Sequence, residues 1–198
     1  MTIQEGPDTV PVMFAILDVL TVGYADERVA GTVCLVRDGA AVIVVDPGMV
    51  SSRAKILDPL SALGIAPDGV TDVVLSHHHP DHTVNIALFP RARVHDFQAT
   101  YIDDEWIAHG PDFDVSPAVR MMATPGHTPQ DVTTLVSTAA GPVALTHLWW
   151  SATGPADDPY SVDRAELAAS RRRVLDLAPV QIVPGHGAPF APDTSTPV

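Results

Sequence analysis

The sequence holds one cysteine, Cys34, which excludes an internal disulfide framework and a cysteine-rich zinc site. Its setting, Thr32-Val33-Cys34-Leu35-Val36, reads as an apolar strand that buries the thiol as a small hydrophobe. Basic residues are scarce too: 11 against 24 acidic ones, for a formal charge of −13. A field of that sign repels phosphate backbones and anionic membrane surfaces, so no nucleic acid and no membrane is expected as a partner. No apolar run approaches the length that spans a bilayer, and the opening MTIQEGPDTVPVM lacks a basic segment followed by an apolar one. The expected location is the cytoplasm. Low-complexity tracts and long linkers are also missing; only the end of the chain, about 190–198, reads as a tail.

What is present fits one domain over residues 1–198, long enough to bury a core and, at 46% hydrophobic, of globular composition. Runs rich in Val and Ile at Val12–Leu20, Gly31–Arg37 and Ala41–Val45 predict strands, with Arg37-Asp38-Gly39-Ala40 as the turn between the last two. Ile56, Leu57, Leu60 and Leu63 recur at helical spacing and predict a helix over 51–63, although Pro59 weakens its last turn. Further strands are expected at 71–75, 92–95, 119–123, 132–137, 143–146 and 180–183, with a second helix over 162–177. Strands, a helix, then strands again describe two α/β halves.

Where the 71–75 strand should end, the chain reads LSHHHPDHT. His77, His79, Asp81 and His82 spell H-x-H-x-D-H, whose last member breaks the alternation of a strand. Irregular backbone after a strand can still turn these groups toward one point. Imidazole and carboxylate are the ligand types of zinc and similar divalent metals. Three more histidines, His127, His147 and His186, each follow a strand-like run, and His127 and His186 are preceded by Pro-Gly, which bends the backbone sharply. Seven candidate ligands exceed the needs of one tetrahedral ion and point to two. His78, His95 and His109 lie outside this pattern and read as ordinary surface histidines.

With these motifs the chain resembles the metallo-β-lactamase-fold hydrolase superfamily, whose signature is H-x-H-x-D-H, then a single His, an Asp and a single His. The stretches NIALFPRARVHDF, MMATPGHTPQDV and VPGHGAPF resemble a small subgroup of it. The resemblance implies a four-layer αββα sandwich, class α/β, with metals in a cleft along one edge of two sheets. It implies His77, His79 and His127 on one ion and Asp81, His82 and His186 on the other. It implies that Asp46, in Val45-Asp46-Pro47-Gly48, orients a ligand histidine. One position departs from the pattern: Ala144-Leu145-Thr146-His147 puts His147 where most relatives carry a bridging Asp. A neutral imidazole bridges only by losing its second ring proton, so His147 is expected to serve one ion as a terminal ligand.

The expected cofactor is zinc, one or two ions per chain, with iron or manganese as alternatives. Metal-bound hydroxide would be the nucleophile, oriented by the catalytic Asp81, and no Ser or Cys nucleophile is required. The expected substrate is a small neutral or weakly charged ester, thioester or lactone; a homodimer is compatible with this reading. Aromatics in the stretches 96–117 (Phe97, Tyr101, Trp106, Phe113) and 148–160 (Trp149, Trp150, Tyr160) are candidates for the cleft mouth, with Trp149, Trp150 and Tyr160 as candidate substrate contacts. Two other classes stay open: a mononuclear iron oxygenase of persulfide-dioxygenase type, and a non-catalytic metal-binding sensor.

Overall fold

Period-two alternation sorts the strand side chains into layers in the computed structural model, which describes residues 14–198. In the strand Val33–Asp38 (β4), Cys34 and Val36 face one way while Val33 and Leu35 face the other. Ala41–Val45 (β5) and Asp72–Val74 (β6) repeat this, with Ile43, Val45 and Val74 on the Cys34 side and Val44 and Val73 opposite. In the second half, Val143 and Leu145 of Gly141–Thr146 (β13) and Val183 of Gln181–Pro184 (β14) join that same inner cluster, while Ala144 and Ile182 face outward.

Two sheets result. Ile16–Thr21 (β1), β4, β5, β6, Arg93–His95 (β7), Ala99–Ile102 (β8) and Glu105–Ala108 (β9) form a seven-stranded sheet in that order. Asp112–Ser116 (β10), Val119–Ala123 (β11), Val132–Thr138 (β12), β13 and β14 form a five-stranded one. A short hairpin, Tyr24–Ala25 (β2) and Val29–Ala30 (β3), stands apart. Ladders are antiparallel except β5–β6, β6–β7 and β13–β14.

Each outer face needs a cover, and each half supplies a helix. Ala54–Ala62 (α1) sets Ile56 and Leu60 against Val33, Leu35, Val44 and Val73. Arg164–Asp176 (α3) sets Leu167 and Val174 against Ala144, Leu148, Trp149 and Ile182, and starts where the Asp163 side chain accepts from the Glu166 N–H at 3.0 Å. A third, single-turn helix, Pro80–Thr83 (α2), belongs to the site. Helix, sheet, sheet, helix is the αββα sandwich.

Element by element the differences from expectation have local causes. Pro59 lies inside α1 without ending it before Ala62; only the partner of its missing N–H is lost. The predicted 12–20 strand is observed as β1 from Ile16, and Val12 lies outside the described residues. The stretch 96–117, expected as a loop, contains β8, β9 and β10. β9 and β10 are edge strands whose exposed or half-exposed residues carry no clean apolar alternation, and β8, inside the sheet between β7 and β9, is only four residues long. The expected tail is tied down: the Trp149 indole N–H donates to the Pro197 carbonyl at 2.8 Å, and Phe190 pairs with Ile182.

Candidate metal centre

The segments that follow β5, β6, β11, β13 and β14 converge. After β6 the chain runs through Ser76 to His77; His79 stands at the N-terminus of α2, and Pro80 as its first residue turns Asp81 and His82 inward. After β11 the turn Thr124–Thr128 is closed by Asp131, which accepts from the Thr128 N–H at 2.9 Å and hydroxyl at 2.7 Å and so presents His127. His147 follows β13 directly. His186 follows Pro184-Gly185, where a Cβ on Gly185 would lie 2.4 Å from His147 Cδ2, so only glycine lets the two segments meet.

Asp46 anchors this assembly. It sits at φ 52°, a left-handed backbone that few residues other than glycine tolerate. There its carboxylate accepts from the Ser76 N–H at 2.7 Å and meets His82 Nδ1 at 2.9 Å. Gly48 lets the same turn press on α2: a Cβ there would lie 1.6 Å from the Asp81 carbonyl.

Four of the imidazoles share one orientation. Nδ1 is tethered to the protein in His77 (Ser76 Oγ, 3.0 Å), His82 (Asp46), His127 (Asp158 Oδ2, 2.8 Å) and His186 (Ala30 carbonyl, 3.0 Å). Nε2 of each is thereby left for the interior. His127 Nε2 lies 3.2 Å from His79 Nδ1, and His186 Nε2 lies 2.9 Å from His147 Nε2. Such tethering of one ring nitrogen is how proteins fix the tautomer and aim of metal-binding histidines.

Ligand atoms of His77, His127 and His147 lie within 4.8 Å of one another, and so do those of His82, His147 and His186. His147 therefore belongs to both groups. Asp81 Oδ2 stands 3.4 Å from His82 Nε2 and 3.5 Å from His186 Nε2. All seven candidate ligands are thus gathered, with His147 between the two groups rather than beside one.

Among the described residues, His77 Nε2, His82 Nε2 and His147 Nδ1 are buried without a hydrogen-bond partner. Stranding a buried polar nitrogen costs about 1–3 kcal/mol, and three at one point call for an occupant that accepts lone pairs. The donor set fits a divalent metal ion, and both groups are spaced to hold one. Electrostatics agree. Burial, together with the neighbouring imidazoles, holds His77 and His147 well below the ordinary histidine range, so they keep the lone pairs a metal takes. Burial opposes ionisation of Asp81, but His82 outweighs it and the carboxyl falls to about 2.

Above this floor opens a cleft of about 430 Å³. Ala25, Asp26 and Val29 of the β2–β3 hairpin form one wall; Trp150 and Tyr160, stacked at 5.7 Å and 16°, form the other. Of the expected aromatics only these two line it. Trp149 is fully buried with Leu148 in the cluster under α3, so it is withdrawn as a substrate contact. Phe97, Tyr101, Trp106 and Phe113 lie elsewhere; Tyr101 packs on Trp106 and Phe113 stacks on His109.

His95 is buried rather than a surface residue. It meets Thr100 Oγ1 at 2.8 Å and Asp72 Oδ1 at 2.7 Å, an order reminiscent of a hydrolytic triad but sealed inside the first sheet. His78 meets Asp96 at 3.1 Å. Sequence reasoning missed Asp158 and the β2–β3 wall. Asp158 is separated from His127 by 31 residues, and nothing in Asp157-Asp158-Pro159-Tyr160 marks it as more than a loop acid.

A sandwich that gathers imidazoles and a carboxylate at strand ends from both sheets is a metal-site architecture. Comparison with known proteins gives it a family. The Metallo-beta-lactamase superfamily profile matches residues 26–120. Human metallo-beta-lactamase domain-containing protein 1 is 39% identical over 158 residues, 75% of this chain and 59% of that one. The Xenopus laevis protein of the same name is 32% identical over 189 residues, covering 87% of this chain and 79% of that one. The chain thus spans about 59% of the length of its human relative. A crystal structure of a quorum-quenching N-acyl homoserine lactone hydrolase superposes with a TM-score of 0.68 at 19% identity, over 90% of this chain and 93% of that one; at that identity the likeness concerns the fold alone. The chain belongs to the metallo-beta-lactamase superfamily, a superfamily of hydrolases.

Proposed function

We propose that this chain is a metal-dependent hydrolase of a small neutral or weakly charged ester, thioester or lactone, acting in the cytoplasm, with zinc as its cofactor and iron or manganese as alternatives. One observation carries the reading: seven candidate ligands meet under an open cleft, and three of their buried nitrogens lack any partner among the described residues. The ligands would be His77, His79, His127, Asp81, His82 and His186, with His147 shared between the two groups. A divalent ion held there lowers the pKa of coordinated water toward ~7 and polarises a carbonyl oxygen.

The chain's own residues supply the rest. Asp81 keeps an ionised carboxylate at the cleft floor, where it accepts a hydrogen bond from the attacking water and directs it. Trp150 and Tyr160 offer a flat apolar wall to the acyl or leaving group. Among the described residues no lysine or arginine lines the cleft, and Asp26 adds negative charge at its rim. A phosphodiester or a carboxylated β-lactam would find no cation there beyond the metal, whereas a neutral acyl substrate needs none.

Elemental analysis of purified protein, paired with a panel of ester, thioester, lactone, β-lactam and phosphodiester substrates, tests this. The expected result is one or two transition-metal ions per chain and turnover of neutral acyl compounds. A folded, active, metal-free protein, or activity confined to phosphodiesters, would overturn it.

A further inference from the structure

Asp158 is a buried carboxylate outside the signature, and nothing in the proposed ligand set uses it. Its Oδ2 accepts from His127 Nδ1 at 2.8 Å and from the Trp150 indole N–H at 3.2 Å. Its Oδ1 accepts from the Tyr160 N–H at 2.9 Å. The side chain is fully buried, and the neighbouring Arg171 spends its donors elsewhere, on the carbonyls of Leu148, Pro155 and Ala156.

We infer that Asp158 is a positioning residue that couples the aromatic wall to the metal centre, fixing the His127 ring and the Trp150 indole with one carboxylate. The inference rests on the metal-centre reading. Three donors converge on two oxygens, and no amide matches that set. An asparagine that turned its oxygen to His127 and Trp150 would set its NH₂ against the Tyr160 N–H; turned the other way, it would oppose both side chains with a donor. With the Nδ1 proton claimed by Asp158, the lone pair of His127 stays on Nε2, the nitrogen facing the other imidazoles. The same contact holds Trp150 parallel to Tyr160, with the two ring centres 5.7 Å apart, so the wall and the ligand move together.

The test is zinc titration of metal-stripped wild type, Asp158→Asn and Trp150→Phe, with thermal melting of each stripped protein. Asp158→Asn is expected to weaken zinc binding about 10-fold or more, within the ~10–100-fold range of groups that support metal ligands. Trp150→Phe removes the indole N–H and trims the ring while leaving the Asp158–His127 contact in place, and is expected to leave zinc affinity within about 3-fold while raising KM more than it lowers kcat. A purely structural Asp158 would lower the melting temperature and leave zinc affinity unchanged, which overturns the inference. A wild type that binds no zinc overturns the metal-centre reading and this inference together; a wild type that binds and an Asp158→Asn protein that binds equally overturns this one alone. Should Asp158→Asn fail to fold, the zinc-loaded wild type answers by NMR. A carboxylate-bound His127 Nδ1–H resonates far downfield and exchanges slowly, and its absence would refute the assignment.

Discussion

Replacing Asp46 by Ala and by Asn separates stability from metal binding. In the Ala variant the Ser76 N–H, held at 2.7 Å, and His82 Nδ1, held at 2.9 Å, both lose their acceptor in a buried site. Stranding a buried hydrogen-bonding group costs about 1–3 kcal/mol, and with two such groups left the expected loss is about 4 kcal/mol. At roughly 2–4 °C per kcal/mol for a chain of this size, a loss of about 4 kcal/mol lowers Tm by roughly 8–16 °C. The Asn variant behaves differently. Its oxygen still accepts from Ser76 and its NH₂ then faces His82 Nδ1, so the imidazole turns that nitrogen into an acceptor and moves its proton to Nε2, the atom that faces the centre. Stability should largely survive, while zinc affinity falls about 10–100-fold. Differential scanning calorimetry of the metal-stripped proteins and competitive zinc titration read the two effects separately. An Ala variant that melts within about 2 °C of wild type, or an Asn variant that binds zinc normally, would refute the role assigned to Asp46.

Three further outcomes are expected. Burial pushes the Asp72 carboxyl up, but hydrogen bonds from His95, Arg93 and Thr71 outweigh it and hold its pKa below the ordinary value; its stabilisation is therefore present above about pH 4 and is lost as pH falls through the folded value, so the Tm gap between wild type and Asp72→Asn should narrow below about pH 4, and a gap independent of pH would contradict this. Burial, then the Asp46 carboxylate, pushes the Cys34 thiol up, so Ellman's reagent should label it only after unfolding, and rapid labelling of the native protein would contradict its placement. His147→Asp restores a carboxylate able to donate one oxygen to each ion, so the second zinc should bind more tightly; unchanged or weaker second-site affinity in the titration would show that His147 does not stand between the two ions.

Much of the sandwich is legible because its core strands are buried on an alternating face, and Ala41–Val45 and Val119–Ala123 are bounded as the sequence predicts. Clusters of Val and Ile leave little room for another reading. The strands β8, β9 and β10 are not legible: Glu105–Ala108, at the edge of its sheet, is exposed throughout and its pairing is decided by β8 beside it rather than by its own pattern. At the site, the histidines are legible because their residue type is unusual at strand ends, and Asp46 because its Asp-Pro-Gly turn matches a known motif. Asp158 is not, because an aspartate in a polar loop is commonplace and its meaning lies in a contact across 31 residues. Trp149 and Trp150 could not be told apart by sequence; only the direction of the backbone after β13 sends one into the outer core and the other into the cleft wall.

The two supporting carboxylates give the centre a symmetry that the signature hides. Asp46, from the first half of the chain, holds His82 Nδ1, and Asp158, from the second, holds His127 Nδ1. Each therefore steadies an imidazole in a different one of the two groups that share His147. The loss of a bridging carboxylate at 147 removes one negative charge from the middle of the centre. Asp46 and Asp158 keep theirs one imidazole further out, where they compensate a cation without competing for it. Position 147 can thus hold an imidazole because charge and orientation come from both flanks, and its buried ring, pressed on Gly185, has one place to sit. What the imidazole cannot do is serve both groups equally while neutral. The two positions are accordingly expected to differ in affinity, the more tightly held ion lying on the side that His147 favours.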